Sequence, residues 1–364
     1  MSRIELVTDL RVIASNARRI RTRIEKNVKM LAIVKADAYG HGSAQVAKKL
    51  EEENLCDYFA VATAGEGVHL RNAGIRRKIL ILGYSDERDT YLAVQNDLIV
   101  TVYSIESLLK LNDVSIKLGK NVKAHLKIET GMNRIGVEAG DKLKELLSCW
   151  KRMPNIIMDG VFSHFSSADT NYEYTQMQFE KFKSACSVVC EYGFTPIRHI
   201  AASSAMFQRE YQLDMVRAGI LLYGGDDKRE EFSPAQKLKT HPVRLISLKK
   251  GEKVGYGLNY TCPRDAIIMT VPCGYADGYP RLLGNRAYLL VNGRRAPVVG
   301  NICMDMLMAD VTDAGEISLN SEVVLLGQQD GQRITPSELA RHAETISYEI
   351  MLGFSNRVEK SWIE

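Results

Sequence analysis

Nowhere does the 364-residue chain string together the roughly 18 apolar residues that a membrane-spanning helix needs, and its first ten residues, MSRIELVTDL, lack the apolar core of a signal peptide. The expectation is a soluble, cytoplasmic protein, alone or as the cytoplasmic domain of a membrane-anchored one. Missing too is any block of one charge. The 48 lysines and arginines stand against 44 aspartates and glutamates, and the net +4 is spread along the chain, which argues against a nucleic-acid partner. Cysteine is scarce and odd in number: seven, scattered, which excludes a disulfide framework and fits reduced thiols. Cys186 and Cys190 lie four apart with no second close pair, so no metal site is expected. Internal repeats and low-complexity linkers are absent as well.

What remains is the composition of a globular enzyme, 45% hydrophobic and 25% charged, at a length too great for one ordinary core. From Thr8, read as an N-cap, Leu10, Ile13, Ala17, Ile20 and Ile24 recur at helical spacing, and Arg11, Arg18, Arg19, Arg21 and Arg23 read as the solvated face. Strand-like segments then alternate with helix-like ones: 31–34, 58–62, 78–82, 98–102, 122–128, 157–164, 197–200 and 213–217, with a capping box at Thr170 and Glu173. Eight such units predict a (β/α)8 TIM barrel, whose chemistry sits at the C-terminal ends of its strands. Near Lys237 the texture changes to short strands with Gly and Asn turns at 245–249, 266–272, 287–291, 295–299, 304–311 and 322–326, and only Thr335–His342 reads as a helix. The fold class is thus α/β plus β: a barrel over residues 1–236 and a mainly β domain over 237–364.

Several residues at predicted strand ends carry chemistry. Lys35 ends a buried apolar strand and is followed by Ala-Asp-Ala-Tyr-Gly-His-Gly, a loop suited to backbone approach to a ligand; alone, such a lysine reads equally as one that snorkels to solvent. In the fifth strand Ala124, Leu126 and Ile128 share one face, which turns Lys127 and Glu129 toward the barrel interior as an ion pair or a site. His164 ends the sixth strand among small polar residues, and the loops after strands seven and eight are where barrels bind phosphate.

The segment VKADAYGHG resembles the lysine motif of the alanine racemase family, whose lysine is the attachment point of pyridoxal 5'-phosphate and whose tyrosine contacts the phosphate: Lys35 and Tyr39 here. HLKIETGMNRIG is similar to the family segment in which Arg134 would bind the substrate carboxylate and Lys127, carbamylated, would hold that arginine. The resemblance further implies His164 as support for the catalytic tyrosine, Ser203, Gly219 and Ile220 as phosphate ligands, and Arg217 facing the pyridine nitrogen, where a guanidinium favours racemisation over transamination. PCGYADG would supply the second base, Tyr275, and GNICMD the substrate contact Met304, with Tyr275 acting in trans in a homodimer. Two positions depart from the family pattern: Ala202 replaces an asparagine, and Asn356 stands where a tyrosine is expected, with Tyr348 set aside as a decoy. Asn356 resembles the serine racemase domains of vancomycin resistance. The implied function is a two-base serine racemase, also acting on alanine, that supplies D-amino acid for peptidoglycan. The alternatives are a housekeeping alanine racemase, a fold-type III decarboxylase and a non-catalytic cofactor carrier.

Overall fold

The computed structural model describes residues 3–364. The chain forms two compact units, each drawn from more than one stretch of sequence: Ala17–Ala38 with Gly42–Leu222, and the chain up to Asn16 with Tyr39–His41 and Tyr223–Glu364.

The first unit is built on eight parallel strands. Met215–Ala218, Lys29–Ile33, Tyr58–Val61 and Lys78–Ile81 run side by side, as do Val100–Val102, Val122–Glu129, Ile156–Phe162 and Ile197–His199. The two sheets join at both seams. Ile81 N–H donates to Ile99 C=O at 2.9 Å and Arg217 N–H to Ala201 C=O at 3.0 Å, which closes the barrel. These strands can be covered on both faces because they are apolar on both: Ile79, Leu80 and Ile81 are all fully buried. Two expected helix starts move. Ile4–Asp9 is a strand, so the first helix is Leu10–Arg23, and Asp9 Oδ1 accepts the N–H groups of Arg11 (2.9 Å) and Val12 (3.4 Å) in place of a Thr8 cap. The helix Tyr172–Glu191 is capped by Asn171, not Thr170.

The second unit is a mostly antiparallel ten-stranded sheet. At Asn292-Gly293 both residues take positive φ, as a tight hairpin turn requires. Four of its strands are absent from the expected segments: Ile4–Asp9, Gln236–Thr240, Gln332–Ile334 and Glu359–Ile363. Ile4–Asp9 lies between Gln236–Thr240, antiparallel, and Glu359–Ile363, parallel, so both ends of the chain share one sheet. Gln236–Thr240 does alternate, but the buried positions are Gln236, Leu238 and Thr240, a pattern with one apolar residue. A second helix, Ser347–Leu352, joins Pro336–His342. Among the described residues no helix is long and apolar enough to cross a membrane.

Candidate active site

Lys35 is placed by an unusual turn. After Val34 the chain enters a single helical turn, Lys35–Gly40, in which Ala36, Asp37, Ala38 and Tyr39 all have φ between 50° and 54°. The sequence suggested an open loop; the structure has a left-handed turn of four residues bearing a Cβ, which costs about 1–2 kcal/mol at each. Such strain persists only where the surroundings fix it. Glu66 accepts Ala36 N–H (2.8 Å) and Ala62 N–H (2.7 Å), and Asp37 Oδ1 accepts Ser43 N–H (2.8 Å). At the far end of the turn Gln236 Nε2 donates to Gly40 C=O (3.2 Å) and Trp362 Nε1 to His41 C=O (2.8 Å). Glu66 received no role from the sequence, although Thr63-Ala-Gly-Glu66 carries the spacing of a capping box. Burial and the charge of Arg134 lower the Lys35 pKa, against an upward pull from Glu66.

The rest of the barrel site is a nest of cations. Arg217 is buried, with one nitrogen donating to Ser163 C=O (2.8 Å), Ile200 C=O (2.7 Å) and His164 Nδ1 (2.8 Å), and the other to His199 Nδ1 (3.0 Å). Burial and Arg134 push its pKa down to about 9, so it stays a guanidinium near neutrality. His164 is held well below the usual imidazole range by burial and by Arg217, Lys127, Arg134 and Lys35, and is neutral. Lys127 is 5% exposed; its side-chain amine makes no hydrogen bond or ion pair among the described residues and sits 5.1 Å over the Phe162 ring. Its pKa falls to about 8 through burial, Arg134 and Arg217. Glu129 does not pair with it. Burial would raise the Glu129 carboxyl, but the backbone N–H groups of Asn133, Gly131, Arg134 and Met132 outweigh that and lower it, so the carboxylate shapes the loop bearing the exposed Arg134. Ser203 Oγ accepts Gly219 N–H at 3.3 Å, which brings a hydroxyl beside the Gly219-Ile220 backbone.

In the β unit, Tyr275 N–H bonds to Cys303 C=O (3.1 Å) and Ala276 N–H to Met304 C=O (3.0 Å). Gly274 permits this approach, since a Cβ there would lie 2.3 Å from Met304 O. Arg3 pairs with the fully buried Asp277, and Arg357 with Asp305 (2.7 Å), while Ser355 Oγ donates to Ala276 C=O (2.9 Å). These ties gather Tyr275, Met304 and Asn356 on one exposed patch; Asn356 makes no side-chain hydrogen bond among the described residues. Tyr39 is buried, its hydroxyl raised by burial and by Tyr348, and its ring lies 5.4 Å from that of Tyr348. Tyr348, set aside on sequence, is therefore an aromatic neighbour of Tyr39, together with Tyr223 at 5.1 Å; it lies on the helix Ser347–Leu352.

Two family models match the chain in order, "Alanine racemase, N-terminal domain" over residues 8–227 and "Alanine racemase, C-terminal domain" over 235–362. An alanine racemase of Halothermothrix orenii is 40% identical over 97% of this chain and 95% of its own, and alanine racemase 1 of Caldanaerobacter subterraneus subsp. tengcongensis is 37% identical over 99% and 94%. The solved alanine racemase of Clostridium difficile 630 superposes with a TM-score of 0.93 at 35% identity, covering 100% of this chain and 96% of that one. Matched along nearly its whole length, the chain belongs to the alanine racemase family, as an amino-acid racemase dependent on pyridoxal 5'-phosphate.

Proposed function

We propose that the chain interconverts L- and D-alanine by a two-base reaction on a cofactor held at Lys35, with Tyr275 supplied by a second copy of the chain. The observation that carries this reading is the cation nest: Lys35, Lys127, Arg134 and Arg217 against the carboxylates of Glu129 and Glu66 leave an excess of positive charge that suits a dianionic phosphate and a substrate carboxylate. The donors fit the cofactor: Ser203 and the Gly219 and Ile220 amides for its phosphate, Arg217 for its ring nitrogen, Lys35 for its carbonyl carbon. Bound there, pyridoxal phosphate withdraws electrons and weakens the substrate's Cα–H bond. Arg134 orients the carboxylate, and Lys35 Nζ and Tyr275 Oη take or return the proton on opposite faces. Lys127 supports Arg134 as its carbamate; with a pKa of about 8, the ammonium gives up one proton, and the neutral amine then adds carbon dioxide and releases a second, so that a buried cation becomes an anion. Tyr275, Met304 and Met306, 42%, 53% and 46% exposed, support a face that a second chain covers.

The relatives compared above are named for alanine and none for serine or vancomycin resistance, so alanine takes the leading place. Serine stays as a second substrate on one observation, the exposed amide of Asn356. The seven free cysteines support a reducing, cytoplasmic setting. The test is chiral chromatography of purified protein with pyridoxal phosphate and a panel of L-amino acids. D-alanine is expected as the fastest product; no D-product, or carbon dioxide released from a basic amino acid, defeats the reading.

A further inference from the structure

Behind Arg217 the barrel interior carries a line of polar side chains to which the proposed reaction gives no part. It starts at Arg217, whose N–H meets His199 Nδ1 at 3.0 Å. His199 Nε2 lies 3.0 Å from His125 Nδ1, and His125 Nε2 lies 3.4 Å from Asp159 Oδ2. Asp159 also accepts from Lys78 Nζ and from the Tyr58 hydroxyl, both at 3.1 Å. Both imidazoles are fully buried.

The two ends fix the direction of every bond between them. A guanidinium only donates and an ionised carboxylate only accepts. His199 therefore accepts at Nδ1 and carries its proton on Nε2, where it donates to His125 Nδ1. His125 in turn carries its proton on Nε2, toward Asp159. Burial keeps both imidazoles below their usual range, so both are neutral, and the bonds from His125 and Lys78 hold the Asp159 carboxyl low against the opposing effect of burial.

Three local features build this line. Ala124 pairs with Met158 but His125 with Gly160, so Asp159 is an extra residue in its strand, and such a bulge re-aims a side chain. Gly160 leaves room for the imidazole, because a Cβ there would lie 2.4 Å from the His125 ring. The His199 ring stacks on Phe162 at 4.9 Å with a 6° tilt, which fixes its plane. An ion pair between Asp159 and Lys78 would need none of the three.

We infer that Asp159 is a positioning residue for Arg217: through one fixed tautomer each of His125 and His199, it locks the guanidinium that serves the cofactor's ring nitrogen. The role of Arg217 rests on the proposed function; the line of tautomers does not. The experiment uses the full chain as purified, labelled with ¹⁵N-histidine, and reads the ring nitrogens by two-bond ¹H–¹⁵N spectra in wild type and Asp159→Leu. Alongside, kcat and KM for L-alanine are measured for both and for Asp159→Asn. Expected are neutral, Nε2-protonated rings for His125 and His199 in wild type, and an Nδ1-protonated ring in Asp159→Leu. The leucine variant should lose about 10- to 100-fold in kcat with KM nearly unchanged, and Asp159→Asn should recover most of it, since its amide oxygen still accepts. An imidazolium or an Nδ1–H at either ring in wild type overturns the proposal without any variant. So does an unchanged kcat in Asp159→Leu, or equal loss in the leucine and asparagine variants, either of which leaves Asp159 as an ion-pair partner of Lys78. A wild type that racemises no amino acid defeats the proposed function, and the spectra then decide the tautomer line on their own.

Discussion

The barrel unit and the β unit hold their chemical residues in opposite ways. In the barrel, Lys127, Arg217, His164 and His199 are desolvated and crowded by like charge, and their proton affinities are displaced by that crowding. In the β unit, Tyr275, Met304 and Asn356 stand in solvent on loops pinned by Arg3–Asp277 and Arg357–Asp305. One unit tunes its groups by burial; the other fixes position and leaves tuning to whatever covers the patch.

The sharpest break of that contrast is at Lys35. Lys35→Ala should remove the visible absorbance of bound cofactor and all racemisation, a loss on the order of 10⁴-fold or more; absorbance that survives would move the attachment to another lysine. Tyr275→Phe should leave that absorbance intact while turnover falls about 10²- to 10⁴-fold. Mixing the two inactive proteins should restore part of the activity, and no recovery after verified subunit exchange would place both bases in one chain. A stability measurement sharpens the barrel side. Unfolded Lys127 holds its proton up to about 10.5 and folded Lys127 only to about 8. Between those values the unfolded state binds more protons, so stability rises with pH. Lys127→Met should abolish this rise and stabilise the unmodified protein at pH 7 by about 3 kcal/mol in urea unfolding; a wild-type curve flat from pH 8 to 10.5 would mean the lysine is already carbamylated. The smallest effect is expected at the β patch, where Asn356→Tyr should lower kcat/KM for L-serine by about 1–3 kcal/mol and spare L-alanine. An unchanged serine-to-alanine ratio removes Asn356 from specificity.

The barrel strands were legible because their apolar runs end in punctuation, and the expected segments lie within a residue or two of the observed strands throughout. Lys127 was legible for a related reason, as a charge on the inward register of an apolar strand. What stayed hidden is long-range. Ile4–Asp9 is a strand only because Gln236–Thr240 and Glu359–Ile363 flank it, and no local pattern announces partners more than 200 residues away. Asp159 looks like one polar residue in a strand; its inward aim comes from a register slip that only pairing with Ala124 and His125 creates. For Glu129 the sequence offers an ion pair with Lys127 or a place in a site, because charge complementarity is visible in a sequence, whereas the competing backbone N–H groups of the 131–134 loop are not.

The turn after Lys35 inverts an ordinary rule of substitution. In a right-handed helix, replacing alanine by glycine weakens the protein by roughly 0.5–1 kcal/mol. At Ala36 and Ala38, both with φ near 50°, glycine relieves the Cβ clash, so the same replacement should strengthen the fold while slackening the aim of the neighbouring lysine. A residue of D configuration would fit there with no penalty at all. A racemase, which handles both hands of its substrate, thus keeps Lys35 beside a stretch of backbone wound in the hand its own residues disfavour, and the tolerance of that stretch to glycine reports how much of the turn's rigidity the proposed chemistry at Lys35 requires.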